Sequence, residues 1–262
     1  QRKVRTVVRR IGVDEKAAAK GHRDLTLVCD LDEGTVEHVA EDRTQASLDG
    51  YYAGLTPEQL AGIEAVAMDM WEPYIQATRA QVPEADQKIV FDRFHIMGHL
   101  GKAVDTVRKQ EHRDLMASGD ETLKGSKYLW LYRRENVPER RREEFAALIR
   151  QELKVGRAWA LKEALRRLWG YVYPASGWKF WKQWYYWATH SRLEPMRKAA
   201  ETIRRHIANI VTYYQHPVTN AMSEGLNSQI QKIKSRACGF RNTEHFKTAI
   251  YFHCGGLDLY PC

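Results

Sequence analysis

Three acids in this chain of 262 residues, Asp14, Asp69 and Glu224, stand where carboxylates could do chemistry. Asp14 and Asp69 each close a short β-branched or apolar run, and Glu224 lies in the first turn of a strongly patterned helix. Displacement at a phosphodiester needs a nucleophile activated at neutral pH and a leaving oxygen whose charge is neutralised. Two divalent ions about 3.5–4 Å apart supply both. Mg²⁺, with Mn²⁺ as its alternative, takes oxygen ligands and keeps several waters, so a protein need offer only a few carboxylates on rigid supports. Taken singly, each acid reads first as a turn residue, a helix cap or an ordinary first-turn acid. Their significance rests on the order of elements that carries them.

Residues 7–14, 25–30 and 35–40 read as three strands, the last two joined by Asp32-Glu33-Gly34 as a tight turn, which implies an antiparallel meander with Asp14 at the end of the first strand. Helices are expected around 45–52, after Thr56-Pro57-Glu58, and over 71–81 up to Pro83. Residues 63–68 form an unalternating apolar run, as a strand covered on both faces would, and end in Asp69; a short fifth strand at 88–91 runs into Asp92. Two acids at strand ends of one sheet can converge on one point. Trp71, just past Asp69, is expected in the core.

From about residue 95 the spacing turns helical through to about 215. Seven of the eight tryptophans lie between Trp130 and Trp187, interleaved with Arg133-Arg134, Arg140-Arg141-Arg142 and Arg166-Arg167. Any one cluster reads first as helical core with solvated faces, and only the summed charge argues for a polyanion. That charge is uneven: residues 1–100 carry 12 basic and 17 acidic side chains, residues 101–262 carry 29 and 16, and the whole chain has a formal net charge of +8. His95 and His99, four apart, lack a third ligand nearby and are read as packing or supporting residues. The last block, 219–252, opens on a helix with Met222, Leu226, Ile230 and Ile233 as its apolar stripe and Gly239 as its C-terminal signal. Its other side carries Glu224, Asn227, Ser228, Gln231, Lys234 and Ser235, a surface free to meet a substrate.

An apolar fraction of 44% makes disorder an unsuitable reading. Four scattered cysteines without C-x-x-C spacing support neither a disulfide framework nor a thiolate zinc site, and no apolar run reaches membrane-spanning length. A reducing cytoplasm is the expected compartment. The chain starts at Gln1 and enters a strand-like segment almost at once, as one domain of a longer protein would.

The stretches Ile11-Gly12-Val13-Asp14-Glu15, Ala67-Met68-Asp69-Met70-Trp71, Phe91-Asp92-Arg93-Phe94-His95 and Ser223-Glu224-Gly225-Leu226-Asn227-Ser228, through Gly239-Phe240-Arg241-Asn242, resemble the DDE-class bacterial insertion-sequence transposases of the ISL3 family. The match covers nearly the whole chain. The resemblance implies an α/β, ribonuclease-H-like catalytic fold of retroviral-integrase type, with a mixed five-stranded sheet and an all-helical insertion. The corresponding division is 1–100 for the first part of the catalytic domain, 101–216 for the insertion and 217–262 for the closing part that brings the third acid.

Carried over by motif, Asp14, Asp69 and Glu224 become a catalytic triad holding two Mg²⁺ ions, with Asp92, His95 and Asn227 in support. Asp92 reads equally as an N-cap. Lys232, Lys234, Arg236 and Arg241 become candidate phosphate contacts, Arg241 reading equally as a helix-end cation. The implied partner is double-stranded DNA, at element ends and target. A homodimer is expected, since two ends must be brought together, and the place of work is the bacterial cytoplasm at the nucleoid. Such proteins resemble one another in carrying an N-terminal zinc module and helix-turn-helix, and this sequence shows neither. Two other readings stay open: a metal-dependent nuclease of the same fold that cuts without joining, and a DNA-binding remnant whose acids are structural.

Overall fold

A computed structural model describes residues 7–19 and 23–257. The chain divides into two compact units, one built from Gln1–Asp92 with Gln215–Cys262 and the other from Arg93–Tyr214. In the first, β1 (Arg10–Ala19), β2 (Arg23–Asp30) and β3 (Thr35–Glu41) form an antiparallel meander. The turn into β3 closes at Gly34, whose φ of +68° is the left-handed value a glycine adopts without penalty. There follow α1 (Gln45–Tyr52), α2 (Pro57–Ala61), β4 (Ala65–Met68), α3 (Glu72–Gln81), α4 (Ala85–Lys88) and β5 (Ile89–Phe91). β4 pairs parallel to β1 and β5 parallel to β4, giving the order β3-β2-β1-β4-β5.

The second unit is helical throughout its described length: α5 (Arg93–Ala117), α6 (Lys127–Leu131), α7 (Arg142–Arg150), α8 (Lys154–Leu165), α9 (Pro174–Thr189), α10 (Glu194–Arg205) and α11 (Ile207–Val211), with short 3₁₀ turns between. Its tryptophans mostly fill its own core. Trp130, Phe145 and Trp159 pack edge to face with ring centres 5.1 Å apart, whereas Trp178 and Trp187 are exposed. Lys162 is buried, and its ammonium donates to the carbonyls of Trp130, Leu131 and Tyr132, each at 3.0 Å, so it closes the C-terminal end of α6. The chain then returns to the first unit as α12 (Ala221–Arg236) and α13 (Thr243–Cys254).

These last helices cover one face of the sheet. Leu25, Leu27, Cys29, Val36 and Val39 pack with Leu226, Ile230, Phe246, Ile250 and Cys254. The opposite face meets α1 and α3, where Tyr74 lies 2.8 Å from the Thr26 hydroxyl and Tyr52 lies 3.0 Å from that of Thr78. The fold is thus α/β with a mixed five-stranded sheet of ribonuclease-H-like type and a helical insertion.

Three expectations need correction. β1 begins at Arg10 and runs on to Ala19, so Asp14 is interior to it, not at its end. The extension, Glu15-Lys16-Ala17-Ala18-Ala19, is poor in strand-forming side chains and is held by antiparallel pairing to β2, a tertiary term that overrides local preference. Met222 is exposed while Ser223 is buried, so the packed stripe of α12 is Ser223, Leu226, Ile230 and the partly buried Ile233. Trp71 is 36% exposed and is not a core residue. The end of α12 forms a Schellman motif: Cys238 takes the left-handed position (φ 53°), its N–H donating to the Ser235 carbonyl, and the Gly239 N–H donates to that of Lys234.

Candidate active site

Register places the acids. β1 and β4 pair Gly12 with Ala67, and β4 and β5 pair Met68 with Phe91. Carried on by two residues and by one, these pairings set Asp14, Asp69 and Asp92 at one level across three neighbouring parallel strands, which lie ~4.8 Å apart. The parallel pairing stops just before them, so they mark the carboxyl edge of the parallel part of the sheet.

Alternation along β1 puts Gly12, Asp14 and Lys16 on the face covered by α12, and Val13 and Glu15 on the other. A Cβ at Gly12 would fall on Ser223 Oγ and come within 2.7 Å of Leu31 and 3.0 Å of Asn220 Oδ1, so the missing side chain is what lets α12 approach. Helix and strand then run parallel. Ser223 meets Gly12, Asn227 meets Asp14, and the Lys234 ammonium donates to the Ala17 carbonyl at 2.9 Å. Five strand residues and eleven helical residues each advance about 16 Å, which keeps these contacts in step.

Each of the first two acids is held in the same manner. Asp14 accepts the Glu15 N–H on Oδ1 (2.8 Å) and the Asn227 amide on Oδ2 (2.6 Å). Asp69 accepts the Met70 N–H on Oδ1 (2.7 Å), while its Oδ2 lies 3.5 Å from Arg43 Nη2. An ionised carboxylate only accepts, so the NH₂ of Asn227 must face Asp14. Asn227 Oδ1 is then buried with no hydrogen-bond donor among the described residues.

Glu224 lies three residues before Asn227, one turn nearer the helix start and on the same flank, with an exposed side chain. Asp92 is buried, and its N–H donates to the Met68 carbonyl at 2.9 Å. His95 lies in the helical unit, on α5. Lys232 and Arg236 line a groove of about 490 Å³ with Phe240 and His253; Arg241 is exposed between α12 and α13. Lys234 instead turns to β1.

Three residues near the acids had not been singled out. Lys16 follows Asp14 by two and donates to the Asn227 carbonyl at 3.1 Å; burial first, and then Lys234, lower its pKa, which Asp14 partly offsets. Glu15 and Arg43 approach to 2.6 Å. That contact is off the Nε–H direction, a charge contact more than a directed hydrogen bond. The Arg43 backbone is fixed on both sides. Asp42 before it has φ 65° and its carbonyl accepts the Thr26 hydroxyl, while Thr44 after it caps α1 in a capping box with Ser47. The guanidinium sits over the Trp71 ring, 4.2 Å from its centre, and the indole N–H donates to the Arg43 carbonyl at 3.3 Å. Lys16 was legible in the alternation of β1; nothing in the sequence around Arg43 signalled its role. Cys29, opposite Gly12 on β2, is a core side chain whose thiol is pushed up to about 12 by burial and then by the charge of Asp14.

In kind, the donors suit a hard cation: carboxylates, and one orphaned amide oxygen that the waters of a hydrated ion beside Asp14 could serve. Among the described residues, however, no three His, Cys, Asp or Glu side chains are grouped closely enough to hold a metal ion. Among the same residues, no helix is long and apolar enough to cross a membrane.

Comparison with known proteins identifies the family. A family model described as a transposase, of the ISL3 class, matches residues 11–250. The transposase for insertion sequence element IS1001 of Bordetella parapertussis is 30% identical over 239 residues, covering 90% of this chain and 58% of its own length. The transposase for insertion sequence element IS1557 of Mycobacterium tuberculosis is 27% identical over 260 residues, with the same two shares, 90% and 58%. The chain therefore spans little more than half the length of these relatives. No solved structure matches. With the model matched over 11–250, the chain belongs to the ISL3 family of DDE transposases.

Proposed function

We propose that this chain is the catalytic portion of a transposase that cuts DNA at the ends of an insertion sequence and joins the freed 3′-hydroxyl to target DNA. Asp14, Asp69 and Glu224 are its three metal-holding acids, Glu224 being brought in by the closing segment after the helical insertion. The observation that carries this reading is the Asn227–Asp14 hydrogen bond, which fastens the helix bearing Glu224 to the strand bearing Asp14, beside the strand that leads to Asp69. When bound, a pair of Mg²⁺ or Mn²⁺ ions supplies an activated water and neutralises the leaving oxygen. The protein's own part is to hold Asp14 by one backbone and one side-chain donor, to set Asp69 and Asp92 level with it, and to present the exposed carboxylate of Glu224 from a packed helix.

Lys232, Arg236 and Arg241, exposed on or beside α12, and the basic surface of the helical unit bind the phosphate backbone of double-stranded DNA, with affinity that falls steeply as salt rises. The working form is a homodimer on DNA in the bacterial cytoplasm at the nucleoid.

The test is a plasmid nicking and strand-transfer assay with Mg²⁺ on this chain and on Asp69→Asn. Nicking and joining by the wild type, with nicking lost in the variant, is the expected result. Cleaved ends that never join a target plasmid would favour a nuclease. Nicking that survives Asp69→Asn, or is absent from both proteins while DNA still binds, would remove the triad from the mechanism.

A further inference from the structure

Arg43 is a cation in contact with a proposed metal-holding acid, and its placement is specific. Glu15 stands on the sheet face opposite Asp14. From that side Arg43 places Nε 2.6 Å from Glu15 and Nη2 3.5 Å from Asp69 Oδ2, while Trp71 stacks on the guanidinium and binds the Arg43 carbonyl. Asp69 lies just past the end of β4.

We infer that Arg43 is a positioning residue that engages Asp69 on the Glu15 side of the sheet, so that a divalent ion recruiting Asp69 toward Asp14 must take its Oδ2 from the guanidinium. This rests on the reading of Asp69 as a metal-holding acid.

The contacts favour an exchangeable hold. A distance of 3.5 Å is long for a charge-assisted hydrogen bond, and the Glu15 contact is poorly aligned. Arg43 keeps Glu15 and Trp71 when it gives up Asp69, so its charge is not left bare. Asp14, for its part, accepts a hydrogen bond from the neutral amide of Asn227.

The experiment is a Mn²⁺ titration of this chain, read by electron paramagnetic resonance of the free ion, on wild type, Arg43→Met and Arg43→Lys. Removing the competing cation is expected to tighten Mn²⁺ binding by about tenfold, and the lysine variant, which keeps the charge, to stay within about threefold of wild type. A parallel readout is the Arg43 Nε–H signal in ¹⁵N NMR, assigned by its loss in Arg43→Lys. Mg²⁺ should shift it in wild type and leave it in place in Asp69→Asn.

Equal or weaker Mn²⁺ binding in Arg43→Met, or an Nε–H signal indifferent to Mg²⁺ while Mn²⁺ binds, overturns the role of Arg43 and leaves the metal-holding acids standing. No Mn²⁺ binding in any of the three proteins overturns both.

Discussion

The amide of Asn227 donates to Oδ2 of Asp14 across 2.6 Å, joining residues 213 positions apart. The bond has an ionised acceptor and is partly buried, so its net worth is ~1.5–3 kcal/mol. Asn227→Ala should lower the unfolding free energy by about 2 kcal/mol in urea denaturation. It should also release Asp14 and reduce Mg²⁺-dependent nicking. A stability within ~0.5 kcal/mol of wild type would mean that the helix is fastened elsewhere.

Gly12 tests the same packing from the strand side. A methyl group there would fall on Ser223 Oγ and within 2.7 Å of Leu31 Cδ2. Overpacking a close contact costs ~1–3 kcal/mol, so Gly12→Ala should destabilise by about that amount. Adding Ser223→Ala should recover part of the loss, because Oγ is the nearest obstruction. Additive losses in the double variant would place the strain at Leu31 instead.

The contrast between Asp69 and Arg43 shows what a single sequence holds. Strand 65–68 could be read as far as its terminal acid because an unalternating apolar run has few other folded uses, and Gln45–Tyr52 because its local preference agrees with its packing. The level alignment of Asp14, Asp69 and Asp92 was only half visible: the strand ends could be located, but register is a property of pairing. Arg43 lay beyond reach altogether. Its role depends on Glu15, Asp69 and Trp71 arriving from three separate segments, and on a left-handed Asp42 that no glycine announces. Met222 misled for a related reason: on α12 an apolar stripe one residue away from Ser223 satisfies the helical period equally well, and the small side chain was selected by its contact with Gly12.

Lys16 offers a pH test. Its pKa lies below the ordinary lysine value because of burial and then the like charge of Lys234. The unfolded chain therefore holds more protons than the folded one between the depressed folded value and about 10.5, so this group's contribution to stability rises as pH climbs through that window. Lys234→Met removes the like charge and should raise the Lys16 pKa, followed through its side-chain ¹³Cε shift. An unmoved titration would leave burial as the sole cause.

Glu111 carries the last prediction, in the helical unit. It is buried on α5, and its two carboxylate oxygens accept the backbone N–H groups of Lys154 (2.7 Å) and Val155 (2.8 Å), the first two of α8. The residue at the N-cap, Leu153, has no side chain that could serve those groups, so a carboxylate from another helix does what a serine or aspartate would do locally. It also places a negative charge at the positive end of the α8 dipole. Glu111→Ala removes both acceptors and strands two N–H groups, for a loss of about 3 kcal/mol. Glu111→Gln keeps one oxygen acceptor but turns an NH₂ toward the second donor, so it should recover less than half of that loss. Thermal and urea denaturation of the three proteins decide the matter: a glutamine variant as stable as wild type would show that charge contributes nothing here, and an alanine variant as stable would show that α8 starts without this cap.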